Sequence, residues 1–271
     1  MKSHLSTNHV KYYTFDNFEK AGGVKHCFTT KVGGASSGVF ESMNLGFSRG
    51  DKDDNVFMNF VRLCTALDVP ISSLVLSDQK HTAKIMSVRT ADRGKGILFE
   101  KDYRNIDGLV TNDKNVALTT FYADCVPVYL YDPVLEVIAL AHAGWKGTLA
   151  KIGFQAVHAM KMKYGCLPAN ILAGIGPSIG PCCFEVGEDL AVKFLTELPF
   201  CEKYISSVPG KKDKRILDLW GINEQILINA GILPVNIETA GLCTKCNGED
   251  FFSHRATGDK RGSMAAVLMM S

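Results

Sequence analysis

The sequence predicts a mixed α/β fold in a single domain. Segments with strand character outnumber helical ones, and they occur in hairpins as well as beside helices, which disfavours a doubly wound parallel sheet. Of the 271 residues, 46% are apolar and 21% are charged, so the chain has enough apolar side chains for a sizeable core. No repeat, low-complexity tract or Pro/Ser-rich linker interrupts the sequence. We therefore expect one domain over residues 1–271, with residues 1–20 as an N-terminal extension.

In the first half of the chain, apolar segments alternate with polar loops. A strand is predicted over 24–30, followed by a Gly- and Ser-rich loop, residues 31–51, which is a candidate rim of a site because it has few apolar residues of its own. Apolar residues at helical spacing predict a helix over 54–67. Short strands surround or follow the polar segment 77–83. They are predicted over residues 74–76, 84–88, 109–111 and 116–121.

The most informative region is a predicted antiparallel hairpin. Two apolar runs meet at an Asp-Pro turn signal, over residues 126–131 and 135–141. With a turn symmetric about residues 133 and 134, Cys125 lies opposite His142, at a Cβ separation of about 4.5 to 5.5 Å. The two side chains could then bind one metal or share one proton. A bulge at Pro127 would shift this register by one residue.

The second half of the chain continues with helices and a terminal strand. Gly144 ends the second hairpin strand, and a last apolar run predicts a strand over 264–270. Between them, helical spacing predicts three helices, over residues 148–164, 187–198 and 220–230.

Charge and hydropathy exclude several classes of function. The 30 Lys and Arg residues against 28 Asp and Glu give a net charge of +2, too small for a surface that attracts nucleic acid. No window reaches the roughly 20 apolar residues of a membrane span. The polar N-terminus lacks the apolar segment of a secretion signal. We therefore expect a cytoplasmic protein that binds neither nucleic acid nor membranes.

The nine cysteines are expected to be reduced thiols, most of them small buried side chains. Cys243 and Cys246 form a lone CxxC motif, for which a buried structural role is favoured over redox or disulfide chemistry. A zinc site there would need a second pair at comparable spacing. Cys182 and Cys183 are adjacent, which disfavours chelation in the same manner.

Three residues are the main candidates for chemistry. His81 lies in the polar segment 77–83, Cys125 just before the first hairpin strand, and His142 just after the second. Imidazole and thiolate are good zinc ligands, and three protein ligands leave one position for water or substrate, as in catalytic sites. The separations match no local metal motif, so residue types alone favour a hydrogen-bonded histidine and a buried cysteine. Asp124 is either a proton acceptor or orienting carboxylate, or a turn residue that binds nearby amides.

Two further segments have weaker similarity to ligand-binding motifs. The glycines of residues 173–180 are spaced one residue off the dinucleotide motif, so a tight structural loop is expected. Arg255 and Arg261 precede the C-terminal strand and could clamp an anionic substrate group. Surface or interlayer ion pairs are the commoner role of such arginines.

Several segments together resemble one known family. In chain order they are SDQKH, NIDGLVTN, ADCVPVYLYDP, AHAGWKG, GIGPSIGPCCFEVGE, LDLWGINEQIL and CTKCNGEDFFSHRATGDKRGSMAAV. They resemble the YfiH-like family, also called the laccase-domain or polyphenol oxidase family, whose members are described as purine nucleoside phosphorylases. The resemblance covers roughly residues 27–268, nearly the whole chain.

The resemblance implies a layered α/β sandwich with mixed β-sheets and flanking helices. It implies a zinc ion held by His81, Cys125 and His142, with copper as the alternative metal. It also implies phosphorolysis of adenosine, inosine and 5′-methylthioadenosine, to the free base and a ribose 1-phosphate, and hydrolytic deamination of adenosine. We expect Asp124 to move the proton in deamination, so it joins the three ligands as a catalytic candidate.

Contacts with phosphate and nucleoside are expected from the Gly-rich loop. Lys31 and Arg49 are candidate phosphate contacts, and Asn44 is a candidate contact of the ribose or base. The sequence has QKHT, AGWKG and FFSHRA where the family usually has QVHG, AGWRG and FFSYRR. These departures change the neighbours of the implied ligands and leave the ligands themselves in place.

Three other functions compete with this interpretation. A copper-dependent phenol oxidase gathers many histidines, commonly as His-x-His pairs, and the chain has seven histidines without such a pair. A metal-free cysteine hydrolase would use Cys125 as nucleophile and His142 as base. A non-catalytic binding module would hold a nucleotide in the same pocket, and would be indifferent to replacement of either residue.

Overall fold

The structure is a computed structural model that describes residues 1–47 and 49–271, so that Ser48, in the predicted loop 31–51, lies outside the described residues. The strands are, in chain order, β1 (Lys2–Leu5), β2 (Lys11–Thr14), β3 (Val24–Thr29), β4 (Leu74–Leu76), β5 (Ile85–Ser87), β6 (Gly108–Thr111), β7 (Ala117–Tyr122), β8 (Val126–Asp132), β9 (Val137–Ala143), β10 (Leu172–Ile175), β11 (Glu185–Gly187), β12 (Ile205–Val208), β13 (Lys211–Leu217), β14 (Ile237–Thr239) and β15 (Met264–Met270). The α-helices are α1 (Asp16–Ala21), α2 (Asp53–Leu67), α3 (Trp145–Leu149), α4 (Ile152–Tyr164), α5 (Glu188–Glu197), α6 (Leu219–Asn229) and α7 (His254–Thr257). None of the helices described is both long and apolar enough to cross a bilayer.

Two six-stranded sheets form the centre of the molecule. The first has the strand order β1-β2-β3-β15-β7-β4, and the second has the order β14-β10-β8-β9-β6-β5. Each sheet contains both antiparallel and parallel strand pairs. The pairs β4–β7 in the first sheet and β5–β6 in the second are parallel, whereas β7–β15 and β8–β9 are antiparallel. A small third sheet, β11-β13-β12, is antiparallel. The predicted mixed α/β class is confirmed.

Apolar side chains pack in three layers around these sheets. Phe28 and Leu268 of the first sheet meet Tyr129 and Leu140 of the second in the central layer. Helix α2 covers the outer face of the first sheet, and α4 and α6 cover that of the second. Because both faces are covered, every residue of β8, β9 and β15 is buried. This explains why their sequences are continuously apolar instead of alternating.

The predicted hairpin forms, but in a different register. Pro127 pairs with His142, so the register is displaced by two residues from the prediction, which paired Cys125 with His142. The connection is longer than a two-residue turn because Asp132 Oδ1 accepts hydrogen bonds from two amides of the loop 133–136, at 2.9 and 3.1 Å. A shift of two residues leaves every side chain on the same face of the sheet. Cys125 and His142 are therefore diagonal neighbours.

Two other predicted boundaries differ from the structure. The helix predicted over 148–164 is divided into α3 and α4, because Lys151 adopts the left-handed conformation with φ 56°. The loop predicted over 173–180 begins inside strand β10, which pairs with β8 and β14. The β10 backbone therefore belongs to the second sheet, and only the residues that follow it form a loop.

Residues 1–20, predicted as an N-terminal extension, are integrated into the first sheet. Strand β2 pairs with both β1 and β3, and so attaches this segment to the sheet edge. Phe15 and Phe18 are fully buried in the layer between the two large sheets. Burying each such aromatic side chain contributes about 1.5–3 kcal/mol.

Candidate functional site

A buried carboxylate organises the candidate site. Asp107, directly before β6, is fully buried and accepts hydrogen bonds from the backbone amides of Lys80, His81 and Thr82 at 3.0, 2.9 and 2.8 Å. Its Oδ1 also lies 2.9 Å from Nδ1 of His142. One side chain thus fixes both the loop that carries His81 and the imidazole ring at the end of β9.

Cys125 lies between β7 and β8, next to a constrained residue. Asp124 has a positive φ of 88°, which is uncommon for a residue with a side chain. Its Oδ1 accepts a hydrogen bond from Thr244 Oγ1 and its Oδ2 accepts one from the amide of Arg255, both at 2.6 Å. Because both carboxylate oxygens bind these donors, Asp124 fixes the backbone that presents Cys125. This arrangement matches the turn-forming alternative more closely than that of a proton acceptor.

The structure brings His81, Cys125 and His142 together. Their possible ligand atoms all lie within 4.8 Å of one another, and the two imidazole centroids are 4.9 Å apart. Gly144 is required here, because a Cβ at this position would lie 2.6 Å from His81 Nδ1 and 3.0 Å from Cys125 Sγ. Two imidazoles and one thiolate around a common point fit a divalent metal, with one position left for another ligand.

Burial and neighbouring charges shift the pKa values of His81, His142 and Asp107 in different directions. Burial, and then the nearby His142, lower the pKa of His81, which favours its neutral form. Burial opposes a charge on His142, but Cys125 and the hydrogen bond with Asp107 outweigh it and raise the pKa of His142 to about 9. Burial likewise opposes a charge on Asp107, but hydrogen bonds from His142 and from backbone amides hold its pKa well below the usual range. Asp107 is therefore a permanent anion behind the site.

The three residues line a cavity of about 530 Å³. This volume lies within the roughly 300–1,000 Å³ typical of small-molecule sites. Phe47, Phe121 and Tyr122 contribute aromatic surface to the walls. The cationic side chains of the lining are Arg49, Lys80, Lys101, Arg104 and Arg261. The cavity thus combines a candidate metal centre, aromatic walls and an excess of positive charge.

Arg261 is the most buried of these cations, with 8% of its surface exposed. Its Nη1 donates to the carbonyl of Gly262 at 3.0 Å, and its Nε has no hydrogen-bond partner among the described residues. Burial, and then repulsion from Arg49, lower the pKa of Arg261. Within residues 1–47 and 49–271, neither arginine forms an ion pair with a carboxylate. Two cations that face one cavity, neither in an ion pair among the described residues, favour an anionic ligand.

The other predicted contacts lie elsewhere. Asn44 is fully buried, and its Oδ1 accepts from the amides of Gly46 and Ser263 while its Nδ2 donates to Asp51, at 2.9, 3.0 and 3.0 Å. Asn44 therefore supports the loop from inside and does not line the cavity. Lys31 lines a neighbouring cavity of about 780 Å³, which shares only Arg261 with the first one.

Arg255 also takes a structural position. Its guanidinium Nη1 donates to the carbonyls of Cys183 and Glu185, at 3.3 and 2.7 Å, and lies over the ring of Phe184. It therefore does not belong to the lining of the first cavity. Of the two arginines in this segment, only Arg261 reaches the candidate site.

A second group of thiols appears outside the cavity. Cys182, Cys183, Cys243 and Cys246 place their sulfur atoms within 4.8 Å of one another. Adjacent Cys182 and Cys183, which are not expected to chelate in the manner of a second CxxC pair, nevertheless lie beside the CxxC motif, because the loop after β10 folds back onto it. We call these four residues the tetrathiol cluster.

The sequence matches the family model described as multi-copper polyphenol oxidoreductase laccase over residues 25–271. The chain belongs to this family. The family resemblance drawn from the sequence segments is thereby confirmed. The described residues contain two groups of side chains that could hold a metal ion, the His-Cys-His trio and the tetrathiol cluster.

Two relatives and one solved structure are similar to this chain over most of its length. Purine nucleoside phosphorylase YlmD from Bacillus subtilis (strain 168) is 38% identical over 244 residues, 90% of this chain and 87% of that protein. Adenosine deaminase RL5 from an unknown prokaryotic organism is 30% identical over 254 residues, 93% of this chain and 96% of that one. The crystal structure of a hypothetical protein YfiH from Bacillus licheniformis superposes with a TM-score of 0.91 at 34% identity, covering 99% of each chain. The layered sandwich is thus the fold of the family.

Asp107 is the functional residue that sequence reasoning missed. It stands in the segment NIDGLVTN, directly before an apolar strand. A carboxylate at the end of a polar segment and next to a fully buried strand is unusual unless it has partners. The position of Asp107 beside a buried strand was the sequence signal for a carboxylate with hydrogen-bond partners. It could not reveal the partners, because they lie about 26 and 35 residues away along the chain.

Proposed function

We propose that the chain is a metal-dependent purine nucleoside phosphorylase that also deaminates adenosine. The observation that carries this proposal is the position of His81, Cys125 and His142 in a cavity that also presents Arg49 and Arg261. The names of the relatives, a purine nucleoside phosphorylase and an adenosine deaminase, support the two activities. The proposed substrates are adenosine, inosine and 5′-methylthioadenosine, with phosphate as the second substrate.

We assign zinc as the metal, held by His81, Cys125 and His142, with copper as the alternative. Neither reaction oxidises or reduces its substrate overall, so a metal without redox chemistry is sufficient. Bound zinc supplies a positive centre that polarises a substrate atom or a water molecule next to it. Asp107 binds Nδ1 of His142 and so leaves Nε2 of that ring for the metal.

The two arginines are the proposed phosphate site. In phosphorolysis an oxygen of phosphate forms a bond to C1′ of the ribose while the bond from C1′ to the purine nitrogen breaks, and the electron pair of that bond leaves with the base. Arg261 and Arg49 would hold the anion in line for this attack, because planar guanidinium groups bind phosphate through paired hydrogen bonds. A bound dianion would also relieve the repulsion between the two arginines. The near-complete burial of Arg261 strengthens the attraction.

The aromatic walls are the proposed contact of the purine base. Phe47 and Phe121 line the cavity, and the ring of Phe47 stacks on that of Phe60 with a centroid distance of 5.9 Å. A planar purine gains both apolar contact and ring-to-ring packing against such side chains. Phe47 and Phe121 would therefore orient the base, whereas the arginines orient the phosphate.

The two proposed activities differ in their need for phosphate. Deamination replaces the amino group at C6 of adenine with an oxygen from water and releases ammonia, so it requires no phosphate. Both activities require the metal ligands. Phosphorolysis alone requires the arginine pair.

The direct test is incubation of the purified protein with inosine or adenosine, with and without phosphate, while hypoxanthine, adenine and ribose 1-phosphate are separated by chromatography. We expect hypoxanthine and ribose 1-phosphate from inosine only when phosphate is present, and inosine from adenosine in its absence. Cys125→Ala is expected to lower both rates by on the order of 1,000-fold. Cys201→Ala, at a buried cysteine outside the site, is the matched control. Release of the free base at an equal rate without phosphate would contradict phosphorolysis.

A metal-free cysteine hydrolase is the second candidate. In such an enzyme Asp107 would orient His142, His142 would act as the base, and Cys125 would be the nucleophile. The raised pKa of His142, about 9, fits a protonated imidazole paired with a thiolate. Such an enzyme would keep its activity after metal removal and would form an adduct at Cys125 with an acyl substrate. A covalent adduct detected by mass spectrometry on active, metal-free protein would favour this candidate.

A further inference from the structure

The tetrathiol cluster has the dimensions of a four-sulfur metal site. The sulfur of Cys246 lies 3.5 Å from that of Cys182 and 3.4 Å from that of Cys183, and all four sulfurs lie within 4.8 Å of one another. Zinc–sulfur bonds of about 2.3 Å in a tetrahedron require sulfur atoms about 3.8 Å apart. The four sulfurs therefore surround a point that a tetrahedral ion can occupy with small side-chain adjustments.

Two loops of the fold bring these sulfurs together. The loop after β10 supplies Cys182 and Cys183, and the segment after β14 supplies Cys243 and Cys246. Ser178 and Cys243 are paired in a short parallel bridge, which aligns the two loops. The backbone amide of Gly180 donates a hydrogen bond to the sulfur of Cys243 at 3.3 Å. An amide donor of this kind stabilises a thiolate ligand.

We propose that the tetrathiol cluster binds a second divalent metal ion, of the zinc class, in a closed structural site. Four thiolates fill a tetrahedral coordination shell, so no position remains for water or substrate. Soft sulfur ligands select zinc over magnesium or calcium. The cationic side chains of Lys245, between the two CxxC ligands, and of Arg255, bound to the carbonyl of Cys183, reduce the charge of a complex with four thiolates.

The arrangement of the sulfurs distinguishes this proposal from a disulfide. A disulfide joins two sulfurs at about 2.05 Å and leaves the others out. Here Cys246 is almost equidistant from Cys182 and Cys183, so no pair is singled out, and all four side chains converge. All nine cysteines of the chain are free thiols in the structure.

The second metal would hold the backbone on which the first site depends. Thr244, between the two CxxC ligands, donates its hydroxyl hydrogen to Asp124. The amide of Ile179, four residues before Cys183, donates to the carbonyl of Asp124 at 2.9 Å. Both loops of the tetrathiol cluster are thus hydrogen-bonded to the residue that precedes Cys125. The role of the second ion is therefore to position that segment.

The test is the metal content of the full-length protein, purified without an affinity tag or chelator and measured by plasma mass spectrometry. We expect two zinc ions per wild-type chain and one in Cys125→Ala, which retains the tetrathiol cluster. The double variant C182S/C246S is expected to keep only the ion of the His-Cys-His trio. Cys201→Ala, at a buried cysteine that belongs to neither cluster, is the matched control and should keep both ions.

Cobalt(II) added to metal-stripped Cys125→Ala protein identifies the ligands. Four thiolates give strong sulfur-to-metal charge-transfer absorption, and adding C182S/C246S to the Cys125→Ala protein should abolish it. Because Cys125→Ala keeps the tetrathiol cluster intact, its zinc content and cobalt spectrum remain decisive even if the double variant does not fold. Cys125→Ala protein without zinc and without that absorption would overturn the proposal, as would a disulfide within the cluster in freshly purified protein. Neither readout depends on nucleoside turnover, so the proposal can fail while the proposed function stands.

Discussion

The two thiol-containing clusters of this protein differ in how they are built. In the His-Cys-His trio, Cys125 and His142 lie at the ends of buried strands and His81 lies in a loop, and the trio opens onto a cavity and is backed by Asp107. The tetrathiol cluster joins two loops, with Cys182 and Cys246 exposed and only Cys243 buried. Three ligands beside a cavity suit chemistry, whereas four sulfur ligands, which fill a tetrahedral shell, suit a structural ion. The number of ligands and their surroundings, more than the presence of cysteine, are thus what distinguish the proposed reactive centre from the proposed structural site.

A connection through Asp124 makes the two clusters interdependent. One of its oxygens is bound by Thr244 of the CxxC segment, and the residue itself precedes Cys125. The support can therefore influence the reactive centre without contact with substrate. Each of the following variants separates the roles of the clusters in a measurable way.

Loss of a ligand from the trio should have the largest effect on turnover. Replacing Cys125 or His142 by alanine removes metal-based charge stabilisation worth several kcal/mol. At 1.36 kcal/mol per factor of ten, we expect phosphorolysis and deamination to fall by on the order of 1,000-fold. Product analysis by chromatography measures both rates, and circular dichroism checks that the fold is retained. If these variants keep near-normal rates, the trio is not the reactive centre, and the proposed difference in role between the two clusters is wrong.

Removal of the buried arginine should separate the two activities. Arg261→Ala deletes hydrogen bonds to a charged group, worth about 1.5–3 kcal/mol each. The KM for phosphate should therefore rise roughly 10- to 150-fold, while deamination of adenosine changes little. Steady-state kinetics at varied phosphate concentrations provide the measurement.

Two lysines of the neighbouring cavity serve as controls for Arg261. Lys31→Ala and Lys260→Ala remove one positive charge each from the cavity that meets the first at Arg261. Both should leave the KM for phosphate nearly unchanged. If Lys31→Ala instead equals the effect of Arg261→Ala, the anion binds in the neighbouring cavity, and the assignment to Arg49 and Arg261 is wrong.

The carboxylate behind the trio should have an intermediate effect. Asp107→Asn keeps the shape of the side chain but weakens the hold on the His81 loop and on Nδ1 of His142. Loss of such an outer partner typically reduces metal affinity or activity about 10- to 100-fold. Competition with a chromogenic chelator measures the affinity. Asp102→Asn, at an exposed carboxylate, is the control, and an equal loss there would point to a general charge effect.

The link between the clusters should have the smallest effect. Thr244→Val removes one hydrogen bond to the Asp124 carboxylate and preserves side-chain shape. We expect a loss of about 1.5–3 kcal/mol in the free energy of unfolding and a much smaller change in turnover than in the Cys125 variant. Urea denaturation measures the stability, with Thr196→Val on the surface of α5 as the control. A wild-type unfolding curve for Thr244→Val would mean that the clusters are independent.

The sequence was sufficient to predict most strands and helices near the site. The C-terminal strand over 264–270 has the predicted bounds, and helix α2 begins one residue before its predicted start. Continuous apolar runs and helical spacing carry this information locally. The hairpin register could not be predicted, because the loop length depends on hydrogen bonds of the Asp132 side chain. The Cys125–His142 proximity was nevertheless right, since a shift of two residues does not change the face of a strand.

The parts of the sites that sequence reasoning missed depend on contacts between distant segments. The tetrathiol cluster joins residues more than 60 positions apart, and neither of its halves matches a local zinc motif. The sequence makes Asn44 a candidate substrate contact, but its side-chain amide binds its own loop and the backbone of Ser263. Burial and partners decide such roles, and both follow from the tertiary structure.

The central claim, a metal-dependent reactive centre at His81, Cys125 and His142, is tested most directly by removing and restoring its metal. Protein freed of metal by chelation is assayed for ribose 1-phosphate formation from inosine and phosphate, before and after zinc is added back. The account predicts loss of turnover on removal and recovery with zinc, in wild-type protein but not in Cys125→Ala. Full turnover by protein shown to be free of metal would contradict it.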